Sequence, residues 1–93
     1  MDDKLIQELK EVYNDNISDV ELLITYIDDI PDSIENRSEV LERAQSVLNK
    51  LYDLNPSDVL IEVQVLINKY RYEFDITDPR EVIHIDNGKG FVQ

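Results

Sequence analysis

The sequence predicts a mainly α-helical protein, a small bundle of about four helices followed by a short extended or β-hairpin C-terminal tail. Three observations carry that prediction. Apolar residues recur at three- and four-residue intervals through most of the chain up to Phe74. The dipeptide Asn55-Pro56 divides that pattern with several helix-start signals at one place. Beyond it, Thr77-Asp78-Pro79 breaks whatever precedes, and Val82-Ile83-His84-Ile85 is a short β-type run.

Taken in order, Asp2 to Tyr13 reads as a first helix. Asp2 or Asp3 caps it, and Leu5, Ile6, Leu9, Val12 and Tyr13 line one side, with Gln7, Glu8, Lys10 and Glu11 outside. Asn14-Asp15-Asn16 is a turn, because all three side chains compete for backbone hydrogen bonds. Ser18 and Glu21 then spell a capping box, and Ile17 and Leu22 a hydrophobic staple, at the start of a second helix that ends near Asp29, ahead of Pro31. At about 100° per residue, Val20, Leu23, Ile24 and Ile27 face the core. Opposite them fall Asp19, Leu22, Tyr26 and Asp29, with Glu21, Thr25 and Asp28 on the flank.

The third helix starts at Ser38 or, if Asp32-Ser33-Ile34-Glu35 supplies the cap, a turn earlier. Val40, Leu41, Ala44, Val47, Leu48, Leu51 and Leu54 form its apolar face. At the joint, proline sterics push Asn55 into the extended geometry of an N-cap, and Pro56 takes the first helical position, where its missing N–H costs nothing. Leu54 and Val59 are spaced as a staple, and Asp58 sits in a first turn that favours carboxylates. The helix pair from Ser38 to Phe74 organises the chain. Val59 to Ile67 is apolar nearly all round, which predicts a central helix covered on most sides. The alternative is an α+β protein with strands after residue 58: Ile61, Val63, Val65 and Ile67 are β-branched and alternate with Glu62 and Gln64, and Tyr70 to Ile76 alternates strictly. In the tail, Asp86 to Gly90 has the composition of a tight turn, with Phe91-Val92 able to pair back as a hairpin.

A chain of 93 residues is one domain, with the helical body at 1–76 and the tail at 77–93 belonging to it. A chain this long buries roughly 65% of its unfolded surface, enough for a modest core. Cysteine is absent, no basic-then-apolar signal segment opens the chain, and no apolar run reaches membrane-span length; the reading is cytoplasmic. The formal net charge is −12, which disfavours direct binding to nucleic acid or an anionic membrane and favours a basic protein partner. It is unevenly placed: up to Glu35 there are 11 acidic residues and two lysines, and between Lys10 and Arg37 there is no positive charge.

No chemistry-bearing motif stands against that background. The sequence contains no glycine-rich dinucleotide loop, P-loop, zinc-protease helix or nucleophile elbow. His84, the only histidine, lies in an apolar alternating run. Asp28 and Asp29, adjacent on a helix, point about 100° apart and do not chelate one ion. Asp86-Asn87-Gly88 lacks the alternating oxygen ligands of a calcium loop. The chain reads as a non-enzyme with no cofactor and no metal. The candidate partner-binding residues are Asp15, Asp19, Glu21, Leu22, Tyr26, Asp28, Asp29, Asp32 and Glu35, in which carboxylates would imitate phosphates while Leu22 and Tyr26 supply desolvated anchors. Proteins of that character include immunity proteins, antitoxins and phage-type anti-defence proteins that cover the basic groove of a nuclease or nucleic-acid-binding protein. The second reading is a structural or adaptor module, a homodimer formed through the apolar helix and the stripe of Tyr70, Tyr72, Phe74 and Ile76.

Overall fold

The computed structural model describes residues 1–74; the expected break at Thr77-Asp78-Pro79, the run at Val82 to Ile85 and the turn near Gly88 lie outside the described residues. Four helices, α1 (Asp3–Val12), α2 (Ile17–Asp29), α3 (Arg37–Leu54) and α4 (Asp58–Glu73), form the bundle, and no strand occurs among the described residues. Each helix packs on its neighbour in sequence, and α4 closes back on α1.

One apolar core fills the ring. Leu9, Val20, Leu23, Ile27, Leu41, Leu48, Leu51, Leu60, Val63 and Ile67 are all essentially sealed from solvent, so every helix contributes. These positions are the three- and four-residue repeats of the sequence, and no polar or charged residue is buried among the described residues. Each large aliphatic side chain so placed contributes on the order of 1.5–3 kcal/mol relative to exposure.

Helix ends depart from the cap chemistry read in the sequence. Asp2 does cap α1, its carboxylate accepting from the Lys4 amide. Residues Asn14–Asn16 form a 3₁₀ turn that runs straight into α2, so Ser18 lies inside the first turn, exposed, and the N-cap position falls on Asn16 without a side-chain bond. A second 3₁₀ turn, Ile30–Asp32, buries Ile30, and α3 starts at Arg37 after Asn36. α4 starts two residues later than the proline predicts. Asn55 is the extended residue that ends α3, Ser57 is extended as well and takes the N-cap position, and Pro56 stays in the link. A tertiary bond competes for that link: the Tyr13 hydroxyl donates to the Asn55 carbonyl, holding it outside the helix. Leu54, the expected staple partner of Val59, is 54% exposed.

The strand alternative is excluded up to Glu73, because α4 is helical throughout. The helix is also not central. Its buried side carries Val59, Leu60, Val63 and Ile67, while Ile61 and Val65 remain 49% and 61% exposed. Helical spacing dissolves the tyrosine stripe too: Tyr70 and Phe74 stack on each other with centroids 6.1 Å apart and pack against the core, whereas Tyr72 points away at 91% exposure. Ile76 lies outside the described residues.

Candidate functional site

The outer surface of α2 and the turn after it hold most of the residues the sequence singles out. With Val20, Leu23 and Ile27 committed to the core, the angular arc centred opposite them carries Ser18, Glu21, Leu22, Thr25, Asp28 and Asp29, and all six are exposed. Leu22 is 42% exposed among them. This arc adds Ser18 to the set expected from sequence and lacks two of its residues. Tyr26 is half-buried and packs against the core, and Asp19 is turned toward α3, where its carboxylate pairs with the Lys50 ammonium at 3.1 Å. Both sit at the edge of the apolar arc, which widens as α2 packs against α3.

Two of the seven candidate carboxylates therefore already hold a cation. Asp19 holds Lys50, and Asp28 accepts from the Met1 ammonium at 2.7 Å, tying the start of α1 to the end of α2. Asp15, Glu21, Asp29, Asp32 and Glu35 have no ion-pair partner among the described residues. Nor do they form one cluster: from Asp15 to Asp29 the chain advances roughly 20 Å along α2. The compact group is at the C-terminal end, where Asp29, Asp32 and Glu35 belong to one short segment.

Backbone bonds shape that end. The Ser33 hydroxyl donates to the Asp29 carbonyl at 2.7 Å. Arg37, the first residue of α3, donates from Nε to the Ile30 carbonyl and from a terminal nitrogen to the Pro31 carbonyl, both at 2.8 Å. Its guanidinium also lies 3.7 Å from the centroid of the Phe74 ring. Arg37 is thus directed at carbonyls and an aromatic face, and Asp29, Asp32 and Glu35 have no ion-pair partner among the described residues. Between Asp32 and Asn36 the chain encloses an open recess of about 480 Å3 lined also by Ser33, Ile34 and Glu35. Ile34 is 82% exposed there, flanked in sequence by acidic neighbours at Asp32 and Glu35. Ile34 is the residue the sequence reading missed as an anchor; its signal was an apolar side chain set in a polar capping stretch.

Two tyrosines carry perturbed protons. Burial raises the Tyr13 pKa above its ordinary 10.0, opposed in part by the Ser57 side-chain hydrogen bond and reinforced by Tyr52. Burial likewise raises Tyr70, with the Asp28 and Glu73 carboxylates adding to it. Burial is the largest cause of both shifts, so they mark packing. Among the described residues no three histidine, cysteine or carboxylate side chains are grouped to hold a metal ion, and no helix there is long and apolar enough to cross a membrane.

Comparison with protein-family models, with curated proteins and with solved structures gives no match to this chain. The functional reading rests on its geometry.

Proposed function

We propose that the protein is an acidic binding protein that neutralises a basic partner, such as a nuclease or another nucleic-acid-binding protein, through the α2 face and the turn at 29–35. The observation that carries this reading is Ile34, an 82% exposed isoleucine set between the carboxylates of Asp32 and Glu35. An exposed apolar side chain flanked by two carboxylates suits an interface hot spot: the carboxylates steer a basic surface in, and the side chain is desolvated on contact. Leu22 and the exposed Glu21 and Asp29 extend the same surface along α2. No catalytic step is assigned; the role is occlusion, with carboxylates standing where phosphates would on the partner's groove.

The test is capture from the native lysate, with the parent chain and the variant Asp29→Lys/Asp32→Lys/Glu35→Lys immobilised side by side and washed at rising salt. A single basic protein that stays on the parent, elutes with salt and never binds the variant supports the reading. Equal retention on both removes the 29–35 turn from the interface.

A further inference from the structure

We propose that the groove between α1 and α4 is a docking site for the chain's own segment Val82-Ile83-His84-Ile85. The groove measures about 440 Å3; Leu5 forms one wall, Ile61, Val65 and Leu66 the other, and Asp2 and Glu62 edge it. Tyr70 is the lining residue nearest the C-terminal end of α4, and Phe74 follows one turn later. The Arg37 guanidinium lies 3.7 Å from the centroid of the Phe74 ring there.

Reach and spacing favour this occupant. From Ile61 to Phe74 the helix advances roughly 20 Å, while the eight peptide steps from Phe74 to Val82 span up to roughly 26 Å. The segment can therefore double back over Ile61 and Val65. These two side chains stand one turn apart on α4, about 6 Å along the axis. In an extended segment Ile83 and Ile85 fall on one face about 6.6–6.8 Å apart, which matches them, and His84 falls on the other. Arg80 and Glu81 precede the segment and Asp86 follows it, so its recognition of a groove edged by two carboxylates rests on the apolar contacts. A tethered segment also acts at an effective concentration on the order of millimolar, so a few apolar contacts hold it where a free peptide of that length would not stay. Docked there, the segment covers the exposed Ile61 and Val65 side chains. The proposal concerns a different face from the acidic turn and stands apart from the function assigned to it.

The experiment uses the full chain. Because cysteine is absent from the sequence, His84→Cys gives a single nitroxide attachment point. Methyl signals of Leu5, Ile61, Val65 and Leu66 are expected to broaden several-fold more than that of Val47 on α3, and adding Ile83→Asp with Ile85→Asp should abolish the difference. A second sample mixes isotope-labelled chains lacking the nitroxide with nitroxide-carrying chains lacking the isotope, and the groove signals should stay sharp. Groove methyls no broader than Val47 would overturn the proposal, as would broadening that survives the double aspartate variant. Broadening in the mixed sample would assign the groove to a second copy instead.

Discussion

Arg37 and Tyr13 show how single side chains hold the connections between helices. Arg37 donates to the Ile30 and Pro31 carbonyls of the 3₁₀ turn that follows α2, and its guanidinium lies over the Phe74 ring at the end of α4. Replacing it with alanine is expected to lower unfolding free energy by about 2 kcal/mol in urea titrations. Arg37→Lys should recover little of this, because one ammonium lacks the planar fork that spans both carbonyls while stacking on the ring; full recovery would reduce the role of Arg37 to its charge. Tyr13 ties the link between α3 and α4 to α1 by donating to the Asn55 carbonyl. Its pKa is raised in the folded state by burial, so the unfolded chain releases the proton first as pH climbs. The associated stability is complete below the ordinary tyrosine value of 10.0 and is lost as pH rises through it toward the folded value. Tyr13→Phe should therefore cost about 1 kcal/mol at neutral pH and flatten the alkaline loss. A phenylalanine variant with an unchanged alkaline slope would assign the loss elsewhere, to Tyr70 first.

At the scale of the helices, packing of α3 on α4 is keyed by a polar ladder. Gln45 and Gln64 exchange reciprocal amide bonds of 2.7 and 2.9 Å, and each donates its second hydrogen along its own helix, Gln45 to Asn49 and Gln64 to Asn68, both at 3.0 Å. Arg71 adds a bond to the Gln45 carbonyl oxygen at 3.3 Å. A one-turn slip of either helix would break the reciprocal pair, so the ladder selects register. Gln45→Ala is expected to cost about 1–2 kcal/mol, and Gln45→Ala/Gln64→Ala less than the sum of the single variants, since the second change no longer strands a partner; strict additivity would argue against a shared network. The periodicity of the apolar residues made the four helices legible in the sequence, because a three- and four-residue repeat survives whatever surrounds it. The starts of α2 and α4 were not legible. Ser18 and Pro56 carry real local preferences, but a preceding 3₁₀ turn in one case and the Tyr13 bond in the other outweigh a cap contribution of about 1 kcal/mol. The β-branched run at 61–67 misled for a related reason: its alternation is compatible with a strand, and only burial on α3 decides for helix.

The whole molecule is acidic, and its acids sit partly where folding does not favour them. Asp28 and Asp29 occupy the last turn of α2, where no basic residue offsets the negative end of the helix dipole. Asp28 has the Met1 ammonium as a local partner, whereas Asp29 has no ion-pair partner among the described residues. Asp29→Lys is thus expected to raise stability, by about 0.3–1 kcal/mol, while weakening partner binding, the combination expected where charge serves recognition rather than the fold. Sequence showed the acid-rich stretch itself. It did not show which acids are engaged internally, since the Lys50 that holds Asp19 is 31 residues away in the chain, nor that Ile34 would stand exposed while Tyr26 turned inward. Ile34→Asp should leave stability within about 0.5 kcal/mol and weaken the partner's binding about tenfold or more. Unimpaired binding would move the anchor to Leu22. The most direct test of the proposed role is the association rate of the captured basic partner, measured across ionic strength, with the parent and with the Asp29→Lys/Asp32→Lys/Glu35→Lys variant. Steering by this turn predicts a parent rate that falls steeply with salt and a variant at least about tenfold slower at low salt, whereas equal rates with equal salt dependence would contradict it.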